Sequence, residues 1–524
     1  MSFNNLGTAS VTNSGSIYAW DYNGIEFNNV GTAVVTNSGE ITSHSDGDAL
    51  YIYSDGALST RIQNNVGGTI LGYYNGIDFS SGGDATVQIT NAGTITGENA
   101  YGIYIYSDGD LSATVTNSGV ISDNDSGYGA IYIEGSGTGT ATINNSGQIY
   151  TGDDYGSGDA VYIDGVGTAT VNNYAGGNIT GWSGVWIDGA GSVTINNSGG
   201  IYSNYNGILI ENVTGAITLT NNAGGNITGW DGVWIYASGD DDDDYTAKVT
   251  INNSGSISGQ TLGPEWDAHG IYIENADTAT VTNSGSISGH ADIEGLGAYG
   301  IYIGHANTAT VTNSGSISAS GDYDYYYTGI SISSVGTAAV TNNAGGIIYG
   351  DYHGVSIDDA DSATVTNSGL IWSEGSDAVY IVNGGTATVN NLAGGSLLSN
   401  NYDGIYIQSM DAATINNSGR IEGYFYGGEC GGISLYDVGS ATVNNYAGGQ
   451  IYGYYGNGIV MDYLDSATVN NSGRIEGYYD GIYIGYANTA TVTNNAGGLI
   501  QSFNGYGYGI YMEFLDSATV NNSG

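Results

Sequence analysis

Apolar and polar residues alternate along this chain in short segments that recur from one end to the other. In the stretch TATVTN, from Thr278 to Asn283, Ala279 and Val281 lie on one side and the threonines on the other. The stretch GIYI that begins at Gly300 alternates Ile with Tyr in the same way. Side chains of a strand point alternately to its two faces, so this period of two predicts strands with one buried face. No stretch has the period of 3.6 that is typical of an amphipathic helix.

The alternating segments form a repeat with three parts, which we name A (TATVTN), B (GxI) and C (GIYI). Asn closes the A segment in all twenty cycles, and the nineteen intervals between these residues average about 27 residues. A period of this length is typical of solenoids, and three short strands per cycle predict one coil of a parallel β-helix. We therefore predict an all-β parallel β-helix of about 19 coils, with residues 1–524 forming a single continuous solenoid.

The Asn at the end of each A segment is predicted to have a structural role. It shares the inward face with Ala and Val and precedes a Gly-containing corner, where its amide can satisfy turn backbone groups and bond to the Asn of the next coil. The predicted Asn ladder consists of Asn13, Asn37, Asn64, Asn91, Asn117, Asn145, Asn173, Asn197, Asn221, Asn253, Asn283, Asn313, Asn342, Asn367, Asn391, Asn417, Asn445, Asn471, Asn494 and Asn522.

The outward position of the C segment carries an aromatic column. Such a strip is either a binding or packing surface or a ladder that rigidifies the solenoid, and the sequence leaves both readings open. Leu209, Ser331, Ser356, Ser434 and Val460 interrupt the column. The candidate binding residues in it are Tyr104, Tyr132, Tyr162, Trp186, Trp234, Tyr272, Tyr302, Tyr380 and Tyr406.

The outward face of the A segment is a threonine array. Thr precedes the core Val or Ile in 15 of the twenty cycles, and charge is nearly absent apart from Arg61 and Lys248. The array resembles the ice-binding face of solenoid antifreeze proteins, but high strand propensity and cross-strand pairing of Thr also explain it.

Length variation between cycles predicts loop insertions at residues 237–245, 258–270, 318–329 and 422–432, which are rich in Tyr, Asp and Gly. Recognition on a solenoid is expected at such an edge. Five consecutive carboxylates, Asp240, Asp241, Asp242, Asp243 and Asp244, are a candidate Ca²⁺ site, with a solvated acidic loop as the alternative. We expect no cofactor other than, at most, this Ca²⁺.

Charge and cysteine content exclude several classes of protein. The chain has 4 Lys and Arg against 51 Asp and Glu, for a net charge of −47. Phosphate repulsion excludes nucleic acid as a partner, anionic membrane surfaces are disfavoured, and no apolar run is long enough to insert into a membrane. The single cysteine, Cys430, excludes an internal disulfide framework.

Catalysis is not expected. Lyase chemistry needs a base, and the only cationic side chains are Arg61, Lys248, Arg420 and Arg474. Glycosidases need a carboxylate pair at a set separation, and no cycle carries an acidic cluster that breaks the repeat. The five histidines are scattered without metal or triad spacing. We therefore predict a protein that is not an enzyme.

The phrase ATVTNSGxI followed by GIYI, repeated over the whole chain with few Lys, Arg and Cys, resembles the passenger region of bacterial autotransporters and related large repeat adhesins. The resemblance implies a right-handed β-helix that is exported and displayed on the bacterial cell surface for adhesion or aggregation. Residues 1–15 already belong to the first coil, so export elements are expected outside this sequence.

These observations predict a non-enzymatic, extracellular, adhesive β-solenoid whose partners are cell-surface glycans or proteins, or other copies of itself. The segments LGTASVTNSG, at residues 6–15, and LDSATVNNSG, at residues 515–524, occupy the same position within the repeat. One end of the chain could therefore stack on the other end of a second copy, so a head-to-tail filament subunit is an alternative. Ice binding through the threonine array is a second alternative.

Overall fold

The computed structural model describes residues 1–124, 127–152, 158–237, 246–261, 267–322, 326–424 and 431–524. These residues form strands and no helix, and parallel strands stack as a β-solenoid of about 19 turns, which confirms the predicted fold class. The chain divides into two compact units, residues 1–257 and 258–524, which are described separately below. In the described part of the chain there is no helix long and apolar enough to span a bilayer.

In unit 1, the A, B and C segments form separate strands. The A strands are Thr8–Asn13, Thr32–Asn37, Leu58–Asn64, Ala85–Asn91, Leu111–Asn117, Gly139–Asn145, Thr168–Asn173, Ser192–Asn197, Ala216–Asn221 and Lys248–Asn253. The B strands are Ser16–Ala19, Glu40–Ser43, Thr69–Gly72, Thr94–Gly97, Val120–Asp123, Gln148–Thr151, Asn178–Gly181, Gly200–Ser203 and Asn226–Gly229. The C strands are Ser2–Asn4, Ile25–Asn28, Leu50–Ser54, Ile77–Ser81, Ile103–Ser107, Gly129–Glu134, Asp159–Asp164, Val185–Asp188, Asn206–Glu211 and Asp231–Tyr236.

In unit 2, each C segment continues into the next A segment as one bent strand, except in the last coil. The bent strands are Ala268–Asn283, Ala298–Asn313, Tyr327–Asn342, Val355–Asn367, Val379–Asn391, Ile405–Asn417, Gly431–Asn445, Asn457–Asn471 and Ile482–Asn494, followed by the separate strands Ile510–Glu513 and Ser517–Asn522. The B strands are Ser286–Ala291, Ser316–Gly321, Ile347–Gly350, Leu370–Ser373, Ser396–Ser399, Arg420–Gly423, Gln450–Gly453, Arg474–Gly477 and Leu499–Ser502. The B strand Ser256–Gln260 contains the boundary between the units.

The bend within these long strands occurs at one residue with positive φ. Asn275 has φ of 59° and Asn383 has φ of 55°, and Asn adopts this left-handed conformation more readily than most residues. The next residue, for example the fully buried Ala276, turns inward and fills the corner. Some unit 1 connections are two residues longer, as between Ile105 and Ala113, and contain Gly, so the strand is interrupted there.

Successive coils pair in parallel with equivalent residues in register, so each residue type stacks on its own kind. Val281 pairs with Val311, for example, and Ile301 pairs with Ile330. The inward side chains are fully buried columns of Ile, Val and Ala inside each unit. The outward columns, by contrast, are half-buried and polar or aromatic.

The closing Asn of each A strand lies at a buried corner and is held by hydrogen bonds along the stack. In both units the Nδ2 atom of one Asn donates to the Oδ1 atom of the Asn one coil later, as from Asn145 to Asn173 at 2.9 Å and from Asn283 to Asn313 at 2.9 Å. The same Nδ2 of Asn145 donates to the carbonyl of Gly147, and its Oδ1 accepts the Gly147 N–H. The further bonds of this type between ladder residues within a unit join Asn13–Asn37–Asn64–Asn91–Asn117–Asn145 and Asn173–Asn197–Asn221–Asn253, and Asn313–Asn342–Asn367–Asn391–Asn417–Asn445–Asn471–Asn494–Asn522.

The strands extend into three of the four predicted insertions. The strand Ser316–Gly321 enters the insertion at 318–329, and Gly431–Asn445 begins inside the insertion at 422–432. In the insertion at 258–270, the B strand ends at Gln260 and the next strand begins at Ala268. The central residues of all four insertions, among them Asp240 to Asp244, lie outside the described residues. The predicted Ca²⁺ site therefore stays a prediction, and no group of three or more metal-binding side chains occurs within the described ranges.

Candidate functional site

The aromatic column of the C segment forms stacked rings. Tyr104 and Tyr132 have ring centroids 5.2 Å apart, Tyr132 and Tyr162 are 5.1 Å apart, and Tyr162 and Trp186 are 4.7 Å apart. In unit 2, Tyr272 stacks on Tyr302 at 5.0 Å and Tyr380 on Tyr406 at 5.5 Å. All nine candidate residues, including Trp234, occupy the outward position of a strand and are half-buried.

Strand alternation and register explain why these rings stack. Ile103 and Ile105 point into the core, so Tyr104 between them points outward, directly beside Tyr132 of the next coil. Hydroxyl groups hold the far ends of several rings, as in the hydrogen bond of 2.8 Å that the Tyr132 hydroxyl donates to Glu134. Within an unbroken run, each ring therefore contacts its neighbour, in arrangements that range from stacked for Tyr104 and Tyr132 to edge-on for Tyr162 and Trp186.

The column is interrupted for two successive coils in unit 2. Strand register aligns Tyr302 with Ser331, Ser331 with Ser356, and Ser356 with Tyr380. Two serines thus stand where two rings are expected. Because neighbouring strands are about 4.8 Å apart, Tyr302 and Tyr380 are separated by three spacings, roughly 14 Å, with no ring between them at this position.

A cleft of about 620 Å³ lies at this interruption. Ser331 and Ser356 line it where the rings are missing, and tyrosines of the C strands and of the preceding corners surround them. Two of these tyrosines, Tyr326 and Tyr402, are 61% and 41% exposed, so parts of their rings face solvent. The complete lining is Tyr299, Tyr326, Thr328, Ser331, Tyr352, His353, Ser356, Ser376, Asp377, Tyr380, Tyr402, Asp403, Tyr406 and Tyr436.

His353, Asp377 and Asp403 stand in one column along the cleft. Each precedes the C segment of its coil, at a corner position that holds Asn or Asp in several other coils. In this position the side-chain Oδ1 accepts the backbone N–H of the equivalent residue one coil later, as Asn75 accepts from Tyr101 at 3.0 Å. These corner acceptors form a second polar ladder, which the sequence analysis did not identify.

Asp377 and Asp403 follow this pattern on adjacent coils. Asp377 Oδ1 accepts the N–H of Asp403 at 2.9 Å, and Asp403 Oδ1 accepts the N–H of Gly431 and, at 2.7 Å, the hydroxyl of Ser434. Asp159, in contrast, is followed by an uncharged corner residue, Ser183. The cleft therefore contains two carboxyl groups in direct succession.

Burial controls the protonation of all three groups. It raises the pKa of Asp377 to about 7, and burial together with the charge of Asp377 raises the pKa of Asp403 well above its ordinary value. Burial also lowers the pKa of His353 to about 4, so its imidazole is neutral at pH 7. A site with a neutral imidazole and two carboxyl groups of raised pKa carries less negative charge at pH 7 than two ordinary aspartates would.

The imidazole of His353 has an unused hydrogen-bonding atom. Its ring stacks on Tyr380, with centroids 4.6 Å apart, and is 7% exposed. The buried Nδ1 atom has no hydrogen-bond partner and lies 3.8 Å from Oδ2 of Asp377, which is too far for a hydrogen bond. Leaving a buried polar atom unpaired is costly.

The chain matches no known protein-family model and shows no detectable similarity to any curated protein or solved structure. The resemblance to autotransporter passengers therefore stays an expectation from the sequence.

The alternation pattern predicted Tyr380 and Tyr406 as candidate binding residues of this cleft but did not point to His353, Asp377 and Asp403. Those three residues are 24 and 26 positions apart, so no local motif connects them. The available signal was the pair of interruptions at Ser331 and Ser356, which the alternation pattern identifies. In this protein, that pair of lost rings lies where the cleft opens.

Proposed function

We propose that this protein is a non-enzymatic, extracellular adhesive β-solenoid that binds neutral glycans in the cleft beside Ser331 and Ser356. The observation that carries the proposal is one cleft in which partly exposed tyrosine rings surround hydroxyl, carboxyl and imidazole groups. Apolar surfaces with a few convergent polar groups are typical of ligand sites, and aromatic rings are common platforms for sugars.

Charge supports a neutral ligand over an acidic one. The net charge of −47 repels anionic polysaccharides at long range, and the raised pKa values of Asp377 and Asp403 favour protonated carboxyl groups, which offer hydrogen bonds with less local charge. The side-chain groups in the cleft that form hydrogen bonds are hydroxyl, carboxyl and imidazole groups. Each of these groups can both donate and accept a hydrogen bond, as sugar hydroxyls do.

Binding rather than catalysis fits the use of the two carboxyl groups. One oxygen of each already accepts a backbone N–H of the following coil, so both side chains hold the corner in place. The surface display that we propose rests on the sequence resemblance to repeat adhesins. Display on a cell surface would present the cleft to glycans of neighbouring cells.

The proposal is tested by screening the intact chain against an array of neutral and acidic oligosaccharides, followed by calorimetric titration of any neutral ligand found. We expect Tyr380→Ala to weaken binding at least about tenfold, because it removes the ring that stacks on His353. The matched control is Tyr104→Ala, in an unbroken part of the column in unit 1, which should leave the affinity unchanged. A failure to bind any neutral glycan, or equal effects of the two variants, would contradict the proposal.

A further inference from the structure

The outward face of the A strands in unit 2 carries no charged side chain. Ten A strands, from Thr278–Asn283 to Ser517–Asn522, each present three outward residues. All thirty of these positions hold Thr, Ser, Asn or Ala, and Thr fills most of them. We name this surface the threonine face. A chain with a net charge of −47 thus keeps one large surface free of charge.

The threonine face is ordered before any partner binds. Equivalent residues of successive coils pair in register, as Thr442 does with Thr468. Its asparagines form a hydrogen-bonded column in which Asn416 donates to Asn390 at 2.9 Å and Asn444 donates to Asn416 at 3.0 Å. Most of these side chains are half-buried by their neighbours, so little rotamer entropy remains to be lost on docking.

The size of the threonine face matches that of a standard protein interface. Ten strands at about 4.8 Å cover roughly 43 Å along the stack, and six residues at about 3.3 Å each cover roughly 20 Å across it. The product is about 850 Å², close to the 800 Å² or so that each partner buries in a stable complex.

Charge selects the partner and the orientation. Two copies of this chain repel each other wherever acidic surfaces meet, and the threonine face is a surface on which they can meet without that repulsion. Exposed acidic residues line the edge at which the A strands begin, among them Asp361, Asp411 and Asp465. If the two copies are related by a two-fold axis along the stack, these acidic edges lie on opposite sides of the interface.

We propose that the threonine face is a homotypic docking surface on which the same face of a second copy packs, with the two stacks of coils parallel. Thr methyl groups and hydroxyls interdigitate between the two sheets, as identical side chains do between paired sheets. The inference is independent of the glycan cleft, which belongs to the C segments and the corners that precede them.

The test is the mass of the intact chain measured by sedimentation equilibrium over a wide range of concentration and at low and high salt. We expect a dimer whose dissociation constant falls as salt rises, because salt screens the repulsion between two acidic copies. An interface held by salt bridges would weaken instead, so a dimer that weakens with salt would overturn the proposal.

Two matched double variants each introduce two carboxylates that lie one coil apart. One variant places them on the threonine face, and the other places them on the B strands. Thr442→Asp with Thr468→Asp, in the centre of the threonine face, should weaken the dimer at least about tenfold, since unpaired charges become buried. The control, Ser288→Asp with Ser318→Asp, puts the same charges on paired outward positions of B strands and should dimerise like the unmodified chain. Circular dichroism establishes whether both variants fold. If one of them does not fold, the mass of the unmodified chain over the range of concentration and salt still tests the proposal.

Three further results would overturn the proposal. The first is an unmodified chain that stays monomeric at every concentration and salt level. The second is a dimer that the Thr442→Asp, Thr468→Asp variant leaves intact. The third is a monomer that modifies the growth of ice crystals and loses this effect in the same variant, in which case the face binds ice and not a second copy. Glycan binding should be unchanged in all of these variants.

Discussion

The aromatic column is continuous in one part of the molecule and interrupted in another. From Tyr104 to Trp186 in unit 1, four outward rings contact one another from coil to coil. From Tyr302 to Tyr380 in unit 2, the two intervening positions hold serine, and a cleft lies there. The same repeat thus produces a covered surface where it is complete and a candidate site where side chains are missing from it.

The size of the residue that interrupts the column also matters. Leu209 replaces a ring between Trp186 and Trp234, in register with both. Its side chain is only 6% exposed, so it occupies the position against its neighbours. Serine has too little volume to do this. An interruption therefore opens the surface only when the substitute is small.

The largest expected effect comes from interrupting the continuous run. Tyr132→Ser removes a ring that contacts Tyr101, Tyr104 and Tyr162, and we expect a loss of about 2–3 kcal/mol in the free energy of unfolding of unit 1. Hydrogen exchange of the neighbouring strands measures this loss locally, which avoids assuming two-state unfolding of a long repeat array. Ser356→Ala in the interrupted run is the control and should change little. Equal losses in the two variants would mean that stacking contributes nothing.

The next effect concerns the carboxyl pair of the cleft. Because folding raises the pKa of Asp377 from 3.8 to about 7, the folded state holds its proton more tightly, and the free energy of unfolding should fall as pH rises through this interval. Asp403→Asn keeps the acceptor for the Gly431 N–H and removes the neighbouring charge. We expect it to stabilise unit 2 by about 2 kcal/mol above pH 7 and to have little effect below the ordinary Asp pKa.

Thermal or denaturant unfolding of the intact chain across this pH range measures the effect. The control is Asp159→Asn, whose neighbour one coil later is Ser183, so its gain above pH 7 should be smaller. A pH-independent gain from Asp403→Asn would show that the pair does not hold a proton in the folded state.

The smallest effect comes from filling the gap. Ser356→Tyr places a ring beside Tyr380 and restores one step of the column, so it should occlude the cleft and weaken glycan binding about tenfold, or roughly 1.4 kcal/mol. The unfolding free energy should stay constant or rise, because a new stacked pair forms. Titration with the glycan identified for the unmodified chain measures the change. An affinity equal to that of the unmodified chain would place the ligand elsewhere.

Much of the fold could be predicted from the sequence because one rule repeats. The alternation in TATVTN and GIYI determines which side chains turn inward, and the spacing of the closing Asn residues determines the coil, so strands and the parallel stack follow from the pattern. The fusion of C and A strands in unit 2 was not predicted. Asn275 has positive φ at the bend, but Asn29 and Asn212 of unit 1 have it as well where the strands stay separate, so the alternation does not encode which connections fuse.

The candidate site was predicted only in part, for a physical reason. Tyr380 and Tyr406 belong to the repeating column, whereas His353, Asp377 and Asp403 come together only when successive coils stack. Their altered pKa values arise from burial, which the local sequence does not reveal. Burial also raises the pKa of Asp159 at the equivalent corner, but the next coil carries Ser183 there and no second carboxylate. The contrast between these corners becomes visible once the register between coils is known.

The Asn ladder has a consequence for how such a chain changes its length. Each ladder Asn donates to the next coil in the same geometry, so removing the stretch from one closing Asn to the next leaves a donor facing an equivalent acceptor. A gene encoding this protein can therefore lose or duplicate one in-frame block of about 27 codons and still specify an intact ladder. Copying errors of that size alter the number of coils without introducing a defect at the join.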